Sequence, residues 1–277
     1  MAEVLQKNER KGFWRNLPKG SCSVALTFLS LVGIQADTDY AEEISMVRKD
    51  SAVLEGQNFR VMTANVHGWR GSDGTDNLND LLSAIMTYKV DVACLQEVDI
   101  KRGHLQTLHS TGFNVLYAET EQEGFGNAVI SKTDLKLQQN FNLPPSEKIR
   151  QRGALLVQVA TLTGDIELLA THVTTRRLYQ HGQFGKLGQI ARKRRADIVC
   201  GDLNEELETI AKTTLGEYFS SSVFANHLEV YTFPAKAPIR KIDFVLSHCY
   251  EIEQPIISDI NSDHLAVIHQ FTIDGCK

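Results

Sequence analysis

The feature that most constrains this chain is where its polar residues fall relative to its apolar runs. From about residue 58 onward, short apolar and β-branched segments alternate with helix-like ones. Many of these runs border a carboxylate, an amide or a histidine: Thr63-Ala64-Asn65, Leu95-Gln96-Glu97, Ala170-Thr171-His172, the stretch from Cys200 to Asn204, Lys241-Ile242-Asp243, and Ser262-Asp263-His264. Strands of a layered sheet that meet at one edge gather such residues, although roughly 200 positions separate the first from the last. The set contains hard oxygen donors (Glu97, Asp263 and the amide of Asn65), two imidazoles (His172 and His264), and carboxylates able to orient those imidazoles. Those are the parts needed for metal-assisted hydrolysis of a phosphate ester.

Strands are expected at residues 59–64, 90–95, 113–117, 127–131, 154–162, 166–170, 198–200, 242–246 and 265–271, and Leu78, Leu81, Leu82, Ile85 and Met86 follow the spacing of an amphipathic helix. No Pro/Gly/Ser linker, repeat or low-complexity tract divides the chain after residue 58, so 58–277 reads as one catalytic domain, with 37–57 as an extended lead-in. At 42% hydrophobic and 23% charged residues the composition is globular, which excludes a collagen-like chain, a coiled-coil rod and wholesale disorder.

The N-terminus reads separately. Lys7, Arg10, Lys11, Arg15 and Lys19 precede an apolar run over 21–34, too short for the roughly 20 residues of a spanning helix and of the length of a signal-peptide core. Cleavage near Ala36 and export to a periplasmic or extracellular space are expected; the alternative is a membrane anchor. Loss of 1–36 removes five basic and two acidic residues, taking the net charge from −5 to −8, with 24 basic residues facing 32 acidic ones. Such a body is no general electrostatic glue for polyanions, so any phosphate must be gripped locally. Cys94 and Cys200 sit in strand-like apolar runs where a free thiol behaves as a small hydrophobe, and no structural disulfide is expected among the five cysteines.

The ordered motifs are specific. Val61 to Asn65, Leu95-Gln96-Glu97, Gly126 to Ser131, Thr171-His172, Gly201-Asp202-Leu203-Asn204, Arg240 to Val245 and Ser262 to Val267 resemble those of the endonuclease/exonuclease/phosphatase superfamily, the group of deoxyribonuclease I, over about residues 59–271. The resemblance implies a four-layer α/β/β/α sandwich of two mixed sheets, with a divalent metal, Mg²⁺ or Mn²⁺, at one edge. It implies that Glu97 is the main metal carboxylate with Asn65 and Asp263 beside it, that Asp202 and Asn204 position water and phosphate, that Asp243 orients His264 as base, and that His172 donates to a phosphate oxygen or leaving group. Arg152 and Asn127 match positions that often face substrate phosphate.

Other features read as structural. The remaining histidines lack a comparable setting, with His67, two residues past Asn65, as the exception. Arg192 to Arg195 reads as a solvated helix end, and the acidic stretch from Asp73 to Asp80 as a turn and helix cap, since it lacks the Gly and Glu of a calcium loop. Substrate specificity resides in loops that the sequence does not decode. A nuclease-like phosphodiesterase is the favoured reading, with nucleic acid preferred over a lipid headgroup. A sphingomyelinase- or phosphoinositide-phosphatase-like enzyme is the alternative, and a catalytically silent binding module on the same fold is the alternative from another class, disfavoured by the complete set of site residues.

Overall fold

The computed structural model describes residues 43–46, 58–144, 151–162, 164–220, 230–273 and 276. The expected signal peptide lies outside the described residues.

Two mixed sheets form the centre. The first has the order β1 (Glu43–Met46), β4 (Asn114–Glu121), β5 (Phe125–Ser131), β3 (Val92–Asp99), β2 (Asn58–Asn65), β12 (Ala266–Thr272) and β11 (Ile256–Ser258). The second runs β10 (Asp243–Ser247), β9 (Ile198–Asp202), β8 (Ile166–His172), β7 (Gly153–Val159) and β6 (Leu135–Asn142). β2 and β3 are parallel, as are β8 and β9, and the other pairs are antiparallel.

The alternation of strand side chains builds the layers. Phe59 and Val61 of β2, Val92 and Cys94 of β3, Leu168 and Ala170 of β8, and Ile198 and Cys200 of β9 fill a core between the sheets. The intervening residues point outward: Met62, Ala64, Ala93 and Leu95 pack with helices α1 (Leu78–Thr87) and α2 (His104–Ser110), while Leu156, Leu169 and Val199 pack with α3 (Arg177–Arg194). The result is the expected four-layer α/β/β/α sandwich. β1 lies within the segment read as a lead-in; it hydrogen-bonds along β4 as an edge strand, and Ile44 and Met46 pack on the first core.

α3 was invisible to apolar periodicity because its inward stripe is written partly in polar and small residues. Gln180, Gln183 and Gly188 are buried alongside Phe184, Leu187, Ile190 and Ala191. A Cβ at Gly188 would lie 2.5 Å from the Thr214 carbonyl carbon, so glycine there lets α3 approach the backbone of the short helix Thr214–Tyr218. The expectation of no structural disulfide is corrected. Cys94 of β3 is bonded to Cys200 of β9 across the core, and Cys249 to Cys276. Each cysteine of the first pair does sit in an apolar strand, but alternation turns both toward the same inter-sheet layer, where they meet.

Candidate active site

The polar edge follows from strand direction. The parallel strands β2, β3, β8 and β9 present Asn65, Glu97, His172 and Asp202 at or near their C-terminal ends. β10 and β12 run antiparallel to their neighbours, so the same edge receives Asp243 at the start of β10 and His264 just before β12. Pairing holds the second-sheet residues in register: His172 opposes Asp202, which opposes Asp243. Asn65, His172, Asp202 and Asp243 continue the inter-sheet faces of their strands, so the apolar core gives way to a polar layer where the sheets end.

Glu97 breaks that alternation. Simple period-two counting puts it with Ala93 and Leu95 on the helix side. Instead the pairing of β3 with β5 slips between Leu95 and Val98, and Glu97 takes a left-handed φ of 54°. Such a bulge inserts one residue and re-aims it. Leu95 and Val98 both remain in the helix-side core, and the Glu97 carboxylate comes to 4.0 Å from His172 on the other sheet. Asn204 also has a left-handed φ, 53°. Non-glycine residues persist in this region only where their surroundings hold them, and such strain clusters at functional sites.

Asp202 is the hub. Its Oδ1 accepts from the Asn204 backbone N–H (2.9 Å) and its Oδ2 from the Asn65 amide (3.1 Å), while Nε2 of His172 and Nε2 of His264 lie 3.4 and 3.7 Å from that same Oδ2. Burial, reinforced by the Asp243 charge, pushes the Asp202 carboxyl well above the ordinary carboxylate range. His264 has the opposite balance. Burial disfavours its charged ring, but the charge and hydrogen bond of Asp243, 2.9 Å from Nδ1, together with Asp202 and Asp263, outweigh burial and raise it to about 9. The two imidazoles that approach Asp202 Oδ2 differ in what meets Nδ1: the Asp243 carboxylate for His264 and the Arg152 guanidinium for His172.

A family model described as Endonuclease/Exonuclease/phosphatase family matches residues 62–264. The chain belongs to this family. No curated protein matches it. Among solved structures of the fold, an endonuclease/exonuclease/phosphatase from Beutenbergia cavernae is similar at 21% identity, with a TM-score of 0.60 over 80% of this chain and 76% of that one. D. rerio TDP2 complexed with single-strand DNA product is similar at 16% identity and TM-score 0.57, over 78% of this chain and all of that one. The human Nocturnin catalytic domain with bound sulfate is similar at 18% identity and TM-score 0.55, over 84% and 96%.

The family typically uses a divalent metal, and the site suits one. Glu97, Asp202, Asp243 and Asp263 bring four carboxylates to one edge, and Oδ1 of Asp243 is buried with no hydrogen-bond partner among the described residues. Asp202, Asp243 and His264 place their ligand atoms within 4.8 Å of one another and could hold an ion. The other expected residues have diverse placements. The Asn65 oxygen accepts from the His67 N–H (3.0 Å) while its amide braces Asp202. Asp263 is partly exposed, its Oδ1 3.7 Å from Nδ1 of His67, which gives His67 a place on the rim. Asn127 is buried and donates to the Gly153 carbonyl (3.1 Å), bracing the first sheet against the second. Arg152 reaches His172, with Nη1 2.8 Å from Nδ1. Two neighbours went unnoticed in the sequence. Gln180 of α3 donates to the Asn204 carbonyl (3.1 Å), and the Phe233 ring packs 4.7 Å from that of His264. Gln180 is hidden because a buried glutamine carries no apolar signal.

Proposed function

We propose that the chain is a divalent-metal-dependent phosphodiesterase that hydrolyses nucleic acid with water as the nucleophile. The observation that carries this reading is the Asp202 carboxylate between two non-equivalent imidazoles. A structural aspartate needs neither ring, whereas a water that loses a proton beside a phosphate is served by all three groups. Asp202 orients the water. Asp243 fixes His264 through Nδ1 and leaves Nε2 toward Asp202, the nitrogen that takes the proton. In the metal-free protein that ring keeps its own proton up to about pH 9. Of the carboxylates that raise it, Asp243, Asp202 and Asp263, the last is one of those proposed to hold the metal, so a bound cation would lower the ring toward the range in which it accepts a proton. Asn204 and His172 meet the phosphate oxygens. Glu97, with Asn65 and Asp263 beside it, would hold the metal, Mg²⁺ or Mn²⁺ by its preference for oxygen donors, and when bound it supplies positive charge to the phosphate and acidity to water.

Nucleic acid is favoured as substrate because the similar D. rerio protein was captured with a single-strand DNA product. Export is part of the same reading, supported by the basic-then-apolar N-terminus and by two disulfides, which persist in oxidising compartments. The test is a panel of single- and double-stranded DNA, RNA, sphingomyelin, phosphoinositides and bis-p-nitrophenyl phosphate with Mg²⁺, Mn²⁺ and Ca²⁺, each with a chelator control. Chelator-sensitive cleavage of DNA or RNA is expected. Preferential turnover of a lipid ester, or full activity after exhaustive chelation, overturns the proposal.

A further inference from the structure

Arg152 matches a position expected to face phosphate, yet its guanidinium is turned into the protein. It is 3% exposed, and its Nη1 lies 2.8 Å from Nδ1 of His172, itself 2% exposed. A guanidinium carries donors only and is not deprotonated in a protein. Nδ1 must therefore offer a lone pair, and an imidazole with a lone pair on Nδ1 is neutral with its proton on Nε2. Nε2 is the nitrogen that looks into the site, 3.4 Å from Oδ2 of Asp202 and 4.0 Å from Oε1 of Glu97. The Asn204 amide nitrogen lies 3.2 Å from the same Nε2, but it is also a donor and is bonded to the Val173 carbonyl at 2.9 Å. An amide nitrogen carries two hydrogens, so Arg152 and Asn204 compete for the two ring nitrogens, and the charged donor at Nδ1 sets the tautomer over the neutral donor at Nε2.

We infer that Arg152 is a positioning residue that acts through His172, locking that ring neutral with its proton on Nε2. His172 is thereby a fixed hydrogen-bond donor. It cannot accept the proton of water at Nε2, and it cannot release that proton to a leaving group without becoming an imidazolate. That the Nε2–H meets a phosphate oxygen rests on the proposed phosphodiesterase reading; the tautomer itself does not.

The test is long-range ¹H–¹⁵N NMR of the full-length, ¹⁵N-labelled protein in EDTA at pH 7, with His172 assigned by comparison with His172→Gln. A protonated-type Nε2 and an unprotonated-type Nδ1 are expected for His172. Arg152→Met should abolish that pattern, giving mixed or reversed tautomers, and Arg152→Lys, which retains a cationic donor, should restore it. A protonated Nδ1 in the unsubstituted protein overturns the inference even if Arg152→Met fails to fold, and so does an unchanged pattern in a folded Arg152→Met. With Mg²⁺ and bis-p-nitrophenyl phosphate, Arg152→Met should lower kcat by about 10- to 100-fold, the range of a lost supporting contact, with recovery in Arg152→Lys. No turnover of any phosphate ester by the unsubstituted protein would defeat the functional reading while the NMR result still decides the tautomer.

Discussion

Asp243→Asn isolates the electrostatics of the site because it keeps the shape of the side chain and removes one buried charge. His264 is raised to about 9 in the folded protein, against 6.5 for a free imidazole, although burial alone would lower it. A raised histidine stabilises the fold fully below the unfolded value of 6.5, and that contribution is lost as pH rises through about 9. The gap corresponds to about 3 kcal/mol. In Asp243→Asn the largest favourable partner of the ring is gone, His264 falls toward or below its free value, and the share of the decline between pH 6 and 9.5 that comes from this ring should nearly vanish. The same substitution removes a charge that helps to raise Asp202, so the variant gains relative stability on the alkaline side from that source as well. Urea unfolding in EDTA at pH 6, 7.5, 9 and 9.5 measures this. With a slope of about 2–3 kcal/mol per molar urea, the pH-dependent shift in midpoint should be about 1 M larger in the parent protein than in the variant. Groups that titrate equally in both cancel. Parallel stability curves for parent and variant would refute the reasoning.

Glu97→Gln should leave the melting temperature of the metal-free protein nearly unchanged while cutting phosphodiester turnover by roughly 100-fold or more, since it removes a charge proposed to hold the ion; calorimetric titration with Mg²⁺ should show weakened binding, and a normal rate would displace Glu97 from the metal site. Gly201→Ala places a Cβ onto the Thr171 carbonyl, so β8 must move just where His172 and Asp202 are held in register; a loss of about 2–3 kcal/mol, seen as a fall of roughly 5–10 °C in Tm, and low activity are expected, and an unperturbed Tm contradicts that packing. The mature N-terminus of the native protein should begin near Asp37; mass spectrometry that recovers intact residues 1–19 from a soluble cytosolic fraction opposes export.

Much of this fold was legible because its strands are apolar and short. Residues 59–64, 166–170 and 198–200 reappear inside β2, β8 and β9, with their polar termini at the expected edge. Asn65, His172, Asp202, Asp243 and His264 could be anticipated as a set because alternation and strand direction act locally. What could not be anticipated depends on contacts between distant elements. The N-terminal half of α3 turns Gln180 and Gln183 inward, so the apolar period shows only from Phe184 onward and is interrupted by Gly188. The cysteine pairing depends on which faces of β3 and β9 oppose each other, and neither segment encodes that alone. Glu97 was anticipated at this edge from its motif, but the bulge that carries it there was not, since alternation alone would have turned it to the helix side. Arg152 was recognised as part of the site but not for its partner, because the choice between a phosphate and Nδ1 of His172 is made by the approach of β7 to β8.

The cross-link between Cys94 and Cys200 closes a covalent ring of chain with a sequence separation of 106. β4 and β5 of one sheet and β6, β7 and β8 of the other all lie inside that ring, so neither sheet can be peeled away while the bond stands. In the chain-entropy picture a ring of this size disfavours the unfolded state by about 4–5 kcal/mol. Its two anchors lie three residues before Glu97 and two before Asp202, so the stitch sits directly beneath the edge where the sheets pool their polar residues. A single proteolytic cut anywhere in the ring would leave two fragments that travel as one molecule, with both halves of that edge still tethered, until a reductant separates them.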